Sequence, residues 1–199
     1  SCRMKERESL GKITNFRSIE KMKLLVGLGN HPTEYTQTRH NVGFLFLDFL
    51  AEKHQAEDFK SDKKFFGQVS NCLIQGEKCI LIKPETYMNL SGKAVNAVKS
   101  FYKIEAEDIF LFYDDIDLDF GVVRMREKGS SGGHRGVQSL IDHIGGNEIK
   151  RIKFGIANET REKMPTDKFV LQNFKSDELS ALPELFAQAH DKLIEILSC

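Results

Sequence analysis

Short apolar runs alternate with polar, glycine-containing loops along most of the chain. The first run, Met22 to Val26, is typical of a buried strand, and it leads into glycines that can turn the chain sharply. After the next loop, the spacing of Phe44, Leu47 and Leu50 suits the buried face of an amphipathic helix instead. The opening part of the sequence therefore predicts a strand, a polar loop and a helix.

The same patterns predict the remaining elements. Strands are predicted at residues 65–75, 78–83, 109–113, 122–126, 152–156 and near 169–171, and helices at 44–54, from 91, from 137 and at 177–197. Ser91 is the predicted N-cap of its helix, and Pro183 predicts a kink or a restart in the last helix. Strands that alternate with helices predict a single-domain, three-layer α/β/α sandwich around a twisted mixed sheet.

Composition and charge narrow the class of protein. With 199 residues, 40% hydrophobic residues and no formal net charge, the chain can bury a core, and neither disorder nor a wholly basic nucleic-acid binder is indicated. Charge is unevenly spread, because the segment from Glu105 to Asp119 is acidic and the segment from Arg124 to Lys153 is rich in arginine and lysine. A local basic surface is one interpretation, and ordinary solvated charge is the default for each residue.

The cysteines and the first residues bear on where the protein acts. The four cysteines have no C-x-x-C spacing and no histidine at zinc-like spacing, which fits reduced thiols in a cytoplasmic protein. No apolar run approaches the length of a membrane span, and no signal-peptide pattern is visible. Residues 1–21 are polar and basic-leaning, and we interpret them as an artificially added segment, an upstream start or a disordered tail. A domain over residues 22–199 follows, with Met22 as a natural start.

Three polar loops follow predicted strands and carry the candidate chemistry. In an open α/β sheet such loops meet at one edge, which is where ligands bind. This arrangement would bring together the imidazole of His40, the carboxamides of Asn30 and Asn89, and the carboxylate of Asp114. A carboxylate that accepts from one imidazole nitrogen fixes the tautomer and leaves the other nitrogen free to take a proton from water. Carboxamides suit an ester or amide substrate, because they both donate and accept hydrogen bonds.

Each of these residues also has a structural interpretation. Asn30 suits a turn, Asn89 suits the entry of a helix, and Asp114 suits a strand end that accepts from a backbone amide. The spacing of the residues alone leaves the catalytic and structural interpretations open.

A nucleophilic serine is a competing prediction. Residues 129–133 read G-S-S-G-G, which matches G-x-S-x-G, and they lie between a predicted strand and a predicted helix. Ser131 would then need a histidine further along the chain, and the candidates His143 and His190 both lie in predicted helices. A flexible glycine-rich loop beside the site is the alternative that we prefer.

Five longer motifs occur in order between Met22 and the last helix. They read G-L-G-N-x-x-x-x-Y-x-x-T-R-H-N-x-G-F (Gly27 to Phe44), K-P-x-T-Y-M-N-x-S-G (Lys83 to Gly92), D-D-x-D-L-x-x-G (Asp114 to Gly121), G-G-H-x-G (Gly132 to Gly136) and R-x-K-x-G-I (Arg151 to Ile156). Together they resemble the motifs of the bacterial-type peptidyl-tRNA hydrolase family. The resemblance implies a single α/β domain that hydrolyses the ester between a peptide and the terminal ribose of tRNA. It implies no metal or cofactor, and we expect a cytoplasmic monomer that binds peptidyl-tRNA and no membrane.

The resemblance also assigns roles to residues. His40 corresponds to the general base that activates water, and Asp114 to the carboxylate that holds it. Asn30 corresponds to the residue that helps to distinguish a blocked α-amino group from a free one, and Asn89 to the residue that positions the substrate beside the ester. The other substrate-binding positions are Tyr35, Tyr87, Met88, His134 and Arg135, and the residues expected to grip the phosphates of the acceptor stem are Arg124, Arg126 and Lys153.

Two positions depart from the family pattern. Pro-Gly usually follows the first Asn, whereas this chain has His31 and Pro32, and the shifted proline alters the expected shape of the loop. Asn often follows the histidine of G-G-H, whereas this chain has Arg135, a cation without an acceptor that would suit a phosphate or a peptide carbonyl. A relative of the same fold that binds RNA without catalysis is the other alternative, and the presence of both His40 and Asp114 argues against it.

Overall fold

The structure is a computed structural model that describes residues 21–31, 33–145 and 148–197. Within these ranges a seven-stranded sheet carries helices on both faces, which confirms the predicted α/β/α sandwich. No helix in them is long and apolar enough to cross a membrane. Residues 1–20 of the predicted extension lie outside the described residues, so its interpretation stays a prediction.

The order of the elements follows the apolar pattern. The strands are β1 (Met22–Gly27), β2 (Lys60–Asp62), β3 (Gly67–Ile74), β4 (Glu77–Pro84), β5 (Ile109–Asp119), β6 (Val123–Arg126) and β7 (Lys150–Ala157). The helices are α1 (Val42–Lys53), α2 (Ser91–Tyr102), α3 (Arg135–Ile144), α4 (Thr166–Phe169) and α5 (Ser176–Leu197). The sheet order is β2-β3-β4-β1-β5-β7-β6, and β4, β1, β5 and β7 run parallel. The carboxyl ends of these four strands therefore meet at one edge of the sheet.

Each face of the sheet has its own hydrophobic core. Helices α1 and α5 cover a core that includes Phe46 and Phe112, whereas α2 and α3 cover a core that includes Val95 and Leu140. Phe112 and Tyr113 are neighbours in β5 and lie in different cores, because successive side chains of a strand point to opposite faces. Both faces of β5 are thus packed against a core, and this packing fixes the backbone that carries the polar residues after Tyr113.

The region near residue 170 differs from the prediction. The predicted strand at 169–171 is wrong, because Thr166–Phe169 form the short helix α4 and Val170 ends it. The apolar run here reflects burial in a helix, because Phe169 belongs to the core under α1 and α5. Strand β2 was not predicted, since its three residues are all polar and carry no apolar signal.

Two details of the helices also differ. Leu90, not Ser91, is the N-cap of α2, and the Ser91 hydroxyl donates to the carbonyl of Met88 at 2.9 Å. The hydroxyl therefore closes the preceding 3₁₀ turn (Met88–Leu90) rather than capping the helix. The predicted restart at Pro183 is not observed, since α5 continues through this residue.

Candidate active site

A cavity of about 740 Å³ lies at the carboxyl edge of the parallel strands. Two of the three predicted polar loops contribute to it, through Asn30 after β1 and Asn89 after β4. The third prediction is wrong in part, because β5 continues to Asp119 and Asp114 lines the cavity from within this strand. The volume is in the usual range for small-molecule sites. The other predicted residues that line it are His40, Tyr87, Met88, His134, Arg135 and Lys153.

Close backbone packing positions the loop after β1. A Cβ atom on Gly27 would lie 2.5 Å from the carbonyl oxygen of Gly43, and one on Gly43 would lie 2.3 Å from that of Phe112, so only glycine fits at either position. The side chain of Asn41 then closes the loop. Its Nδ2 donates to the carbonyl of Asn30 at 3.0 Å, and its Oδ1 accepts from the Asn30 amide at 2.8 Å. The backbone of Asn30 is therefore fixed at the wall of the cavity.

The segment after α4 holds the backbone of His40. The amide of His40 donates to the carbonyl of Val170, and the amide of Arg39 donates to the carbonyl of Gln172, both at 2.9 Å. Val170 also lines the cavity. The region wrongly predicted as a strand thus forms both a support for His40 and part of the cavity wall.

Asp114 accepts two hydrogen bonds at a single oxygen atom. Its side chain is 1% exposed, and its Oδ1 lies 2.8 Å from Nδ1 of His40 and 3.1 Å from Nε2 of His134. The contact with His40 has the geometry that the sequence analysis expected. The contact with His134 was missed, because the resemblance placed His134 only among the substrate-binding positions.

Backbone amides determine which nitrogen of His134 carries the proton. Nδ1 of His134 accepts from the amides of Gly136 at 3.1 Å and Val137 at 3.3 Å, and so caps the start of α3. A nitrogen that accepts hydrogen bonds carries no proton, so the proton of the neutral ring lies on Nε2 and is donated to Asp114. His134 therefore links the N-terminus of α3 to the buried carboxylate.

The two imidazoles keep Asp114 ionised. Burial of the carboxylate opposes ionisation, but interaction with His40 and His134 outweighs it and holds the pKa of Asp114 well below its usual range. Burial likewise disfavours the His40 cation, yet attraction to Asp114 and hydrogen bonding with it raise the pKa of His40 above its ordinary value. The ionised carboxylate accepts from Nδ1 of His40, so Nε2 is the basic atom of that ring.

The same three residues also form a cluster of potential metal ligands. One donor atom from each of His40, Asp114 and His134 lies within 4.8 Å of the others. Ligation through Nε2 of His134 would displace its proton onto Nδ1, and the cap of α3 would then be lost. The donor set therefore fits a proton-transfer network better than a metal centre.

The structure does not support the two histidines that the sequence offered as bases for Ser131. Ser131 lines the cavity, but Nδ1 of His143 lies 2.8 Å from the carbonyl oxygen of Ser139. The other candidate base, His190, pairs through Nε2 with Nε2 of His54 at 2.9 Å. Neither of these two histidines is among the residues that line the cavity with Ser131.

Basic side chains of β6 and β7 share one face of the sheet. In the antiparallel register Arg124 lies opposite Lys153, and Arg126 lies opposite Arg151. Like charges placed directly opposite each other destabilise a sheet unless an anion offsets them. Lys153 is partly offset by Asp115, whose Oδ2 lies 2.9 Å from the ammonium. The exposed Arg124 and Arg126 continue this basic surface outward from Lys153 at the cavity.

The buried Arg151 anchors the glycine-rich loop (residues 129–133). Its guanidinium donates to the carbonyl of Ser130 at 2.6 Å and to that of Gly129. The later part of this loop lines the cavity. Arg151 therefore fixes one end of a cavity wall. It has a structural role and is not exposed to a ligand.

Several predicted residues lie away from the cavity or outside the described ranges. Tyr35 lies in the 3₁₀ helix Thr33–Tyr35, and neither it nor Arg124 or Arg126 lines the cavity. Pro32, one of the two residues that depart from the family pattern in the first loop, is outside the described residues.

Other residues line the cavity although the sequence did not predict them. They are Tyr113, Asp115, Ile116, Asp117, Thr166, Asp167, Val170 and Leu171. The acidic motif after Asp114 was a usable signal for those in β5, whereas the segment around α4 carried none.

Comparisons with known proteins agree with this architecture. The sequence model of the family described as peptidyl-tRNA hydrolase matches residues 24–199. A peptidyl-tRNA hydrolase from an Exiguobacterium species is 46% identical over 168 residues, which cover 84% of this chain and 89% of the relative. A peptidyl-tRNA hydrolase from Fusobacterium nucleatum is 45% identical over 178 residues, which cover 89% and 90%. The crystal structure of peptidyl-tRNA hydrolase from Acinetobacter baumannii matches with a TM-score of 0.79 and 37% identity over 89% of both chains. The chain belongs to the peptidyl-tRNA hydrolase family.

Proposed function

We propose that this protein hydrolyses the ester bond that joins the peptide to tRNA in peptidyl-tRNA, and thereby returns free tRNA to translation. His40 is the general base in this proposal, and Asp114 is the carboxylate that orients it. The observation that carries the mechanism is the 2.8 Å contact between these side chains at the wall of the cavity. Membership of the family supports the substrate.

The reaction needs a single base that changes roles. Nε2 of His40 takes a proton from water as the water oxygen attacks the ester carbonyl carbon. The Asp114 carboxylate stabilises the imidazolium that forms. His40 then returns the proton to the departing ribose oxygen, so the products are a peptide with a free carboxylate and a tRNA with a free hydroxyl. General acid–base catalysis of this kind contributes roughly 10²–10⁴-fold to a rate.

The remaining cavity residues bind the peptide end of the substrate. Asn30 and Asn89 offer carboxamides that donate to a carbonyl and accept from an N–H group, as a blocked α-amino group and the ester require. Tyr87 is 81% exposed, so it is available to pack on the substrate where the cavity opens. Met88 forms a buried part of the wall, and Arg135 supplies a cation for a peptide carbonyl or a phosphate.

The basic surface binds the tRNA. Lys153 at the cavity and Arg124 and Arg126 beyond it are placed to follow the phosphates of an acceptor stem whose end enters the cavity. Tyr35 and His134 complete the binding surface in this proposal. Because one chain supplies every proposed catalytic residue, we further propose that the protein acts as a monomer, in the cytoplasm where peptidyl-tRNA arises.

The test is release of tRNA from an N-blocked aminoacyl-tRNA by catalytic amounts of protein. The wild type turns over many equivalents, and His40→Ala lowers turnover by roughly two to four orders of magnitude without a change in the circular dichroism spectrum. Ser131→Ala is the matched control, because it alters another cavity residue that has no proton-transfer role here.

Two outcomes would contradict the proposal. If the wild type binds the substrate but releases no tRNA, the protein is an RNA-binding relative without catalysis. If Ser131→Ala abolishes turnover while His40→Ala retains it, the serine is the nucleophile.

A further inference from the structure

Two cysteines face each other across the β3–β4 hairpin. The antiparallel register pairs Cys72 directly with Cys79. The hairpin turn consists of Gln75 and Gly76, whose φ angles of 54° and 81° are those of a type I′ turn. The register close to this turn is therefore well specified, and the two cysteines are held opposite each other.

The turn also determines the distance between the cysteine backbones. In a hairpin closed by two residues, the pair that flanks the turn is hydrogen-bonded, and so is every second pair after it. Ile74 and Glu77 flank the turn, so Cys72 and Cys79 form the next hydrogen-bonded pair. The Cα atoms of such a pair lie about 5.5 Å apart, and a disulfide typically joins Cα atoms about 5.5–6 Å apart.

The side chains point the same way. Residues directly opposite each other in a sheet share a face, and both cysteines pack on the core under α1 and α5. Cys79 is 2% exposed, whereas Cys72 is partly exposed. The Cβ atoms of a hydrogen-bonded pair lie toward the upper end of about 4.5–5.5 Å apart, whereas a disulfide joins Cβ atoms about 3.5–4.5 Å apart. A bond between the two sulfur atoms therefore requires side-chain rotation and an approach of the two strands by about 1 Å.

The two thiols differ in reactivity. A hydrogen bond between them lowers the pKa of Cys72, and the same hydrogen bond together with burial raises the pKa of Cys79. The thiolate is the nucleophile in disulfide exchange, so the more exposed Cys72 reacts first. Cys79 lies within the reach that the resolving thiol needs.

We propose that Cys72 and Cys79 form a redox-modification site that small disulfides of the glutathione type oxidise reversibly. The Cys72 thiolate attacks one sulfur of the small disulfide, the S–S bond breaks, and one small thiolate leaves. Cys79 loses its proton to solvent, attacks the Cys72 sulfur and expels the second small thiolate. Two protein thiols are thereby oxidised, and one small disulfide is reduced to two thiols.

The two cysteines lie at the end of the sheet opposite the cavity. Cys79 pairs with Lys23 near the start of β1, whereas the cavity lies beyond the other end of that strand. Oxidation should therefore leave hydrolysis of peptidyl-tRNA unchanged. This proposal does not depend on the hydrolase activity.

The test uses the full chain with Cys2→Ser and Cys199→Ser, so that two thiols remain. The protein is incubated with glutathione disulfide, remaining thiols are alkylated, and the intact mass is measured. We expect loss of both reactive thiols, a mass lower by two hydrogen atoms, no retained glutathione, and full reversal by excess reduced glutathione. Peptide mapping of oxidised wild type, which should yield a linked fragment containing Cys72 and Cys79, covers the case in which this variant folds poorly.

Two further variants in the same background assign the steps. Cys79→Ser should stop at one glutathione attached to Cys72, and Cys72→Ser should resist modification. Retained glutathione on Cys72 when Cys79 is present would overturn the proposal. Cross-linking between chains, or two thiols that remain alkylatable, would do so as well, since the cysteines would then serve only as small apolar residues.

Discussion

Two buried carboxylates each contact one of two adjacent residues of a loop. One of these pairs faces the cavity, and the other lies in the core. Asp114 contacts His40 at 2.8 Å, and Glu178 contacts Arg39 at 2.6 Å. Both carboxylates are almost excluded from solvent, with 1% of the Asp114 side chain and 6% of the Glu178 side chain exposed. The partners differ, because an imidazole changes its charge near neutral pH and a guanidinium does not.

The surroundings of Arg39 are those of a permanent charge in a core. Its guanidinium lies 5.0 Å from the ring centroid of Phe169 and 5.2 Å from that of Phe174, and it donates to the carbonyl of Ile156 at 3.3 Å. Glu178 belongs to α5, so this ion pair joins β7, α5 and the segment after α4 around the residue that precedes His40.

An immobile ion pair thus supports the residue that is the proposed general base. Arg39 and Glu178 fix the chain on the core side of the loop, and the next residue, His40, presents its ring to the cavity with Asp114 behind it. Burial does not distinguish the two pairs, since both carboxylates are buried. They differ in the partner, which is an imidazole or a guanidinium, and in whether the pair faces the cavity or the core.

Loss of charge at Glu178 should have the largest effect. Glu178→Gln keeps the shape of the side chain but leaves the Arg39 cation buried without a counterion, and breaking a buried ion pair typically costs about 3–5 kcal/mol of unfolding free energy. Urea denaturation measures this, and kcat per folded molecule should stay close to the wild-type value. Glu159→Gln is the control, because Glu159 pairs with Lys175 in solvent and should barely change stability. A Glu178→Gln protein of normal stability that has lost activity would place Glu178 in the chemistry instead.

The matching change at Asp114 should affect rate before stability. Asp114→Asn can direct an N–H group at Nδ1 of His40, which favours the tautomer whose Nε2 carries the proton and cannot act as a base. We expect kcat to fall about a hundredfold, less than for His40→Ala. Single-turnover hydrolysis of N-blocked aminoacyl-tRNA measures it, with Asp119→Asn at the exposed end of the same strand as the control. Equal rates for the two variants would remove Asp114 from the mechanism.

The two pairs should also affect different properties as the pH changes, since one controls activity and the other stability. Since Asp114 raises the pKa of His40, kcat/KM should rise through a midpoint above the ordinary histidine value of about 6.5 and level off at higher pH, where His40 is neutral. Burial opposes ionisation of Glu178, but its hydrogen bonds, above all that from Arg39, lower its pKa. Its contribution to stability is therefore present above the unfolded pKa of about 4.3 and is lost as pH falls below that value. Activity should thus be lost on acidification while the protein is still folded, and coincident loss of activity and circular dichroism would contradict this.

His134 allows a smaller test of the reactive pair. His134→Asn keeps a good N-cap for α3 but is too short to reach Asp114, whereas His134→Ala loses both contacts. Without the donor from His134, the carboxylate attracts the His40 cation more strongly, so the acid midpoint of kcat/KM should move up by less than about one pH unit in both variants. Both variants should lower the thermal midpoint through loss of the donor to Asp114, and His134→Ala should lower it further, since it also loses the cap of α3. An unchanged pH profile in both would show that His134 does not act on His40 through Asp114.

The smallest effect is expected at the basic surface, which extends from Lys153 at the cavity to the exposed Arg124 and Arg126. Arg124→Ala should raise KM for full-length tRNA substrates and reduce the salt dependence by about one counterion, with little change for a short substrate that lacks the acceptor stem. The same holds for Arg126→Ala and Lys153→Ala. Lys60→Ala on β2, at the opposite edge of the sheet, is the control. Equal salt dependence in the wild type and all three variants would reject the phosphate contacts.

The sequence by itself determined the order of the elements that carry an apolar signal, though neither β2 nor α4, and it determined the chemistry available at the strand ends. Apolar runs such as Ile109 to Tyr113 must be buried, and the polar residue that follows such a run in a parallel strand must emerge at the carboxyl edge. The expectation that Asn30, Asn89 and Asp114 share one edge follows from this rule without any knowledge of the contacts between them.

Only the tertiary structure decided which polar groups meet. Asp114 and His134 are 20 residues apart, and Arg39 and Glu178 are 139 apart, so no local pattern links them. The second imidazole on Asp114 and the ion pair behind His40 both depend on the packing of helices against the sheet. Periodicity records which face of an element is buried, but it does not record which partner a buried charge finds there, because that choice rests on distances set by the whole fold.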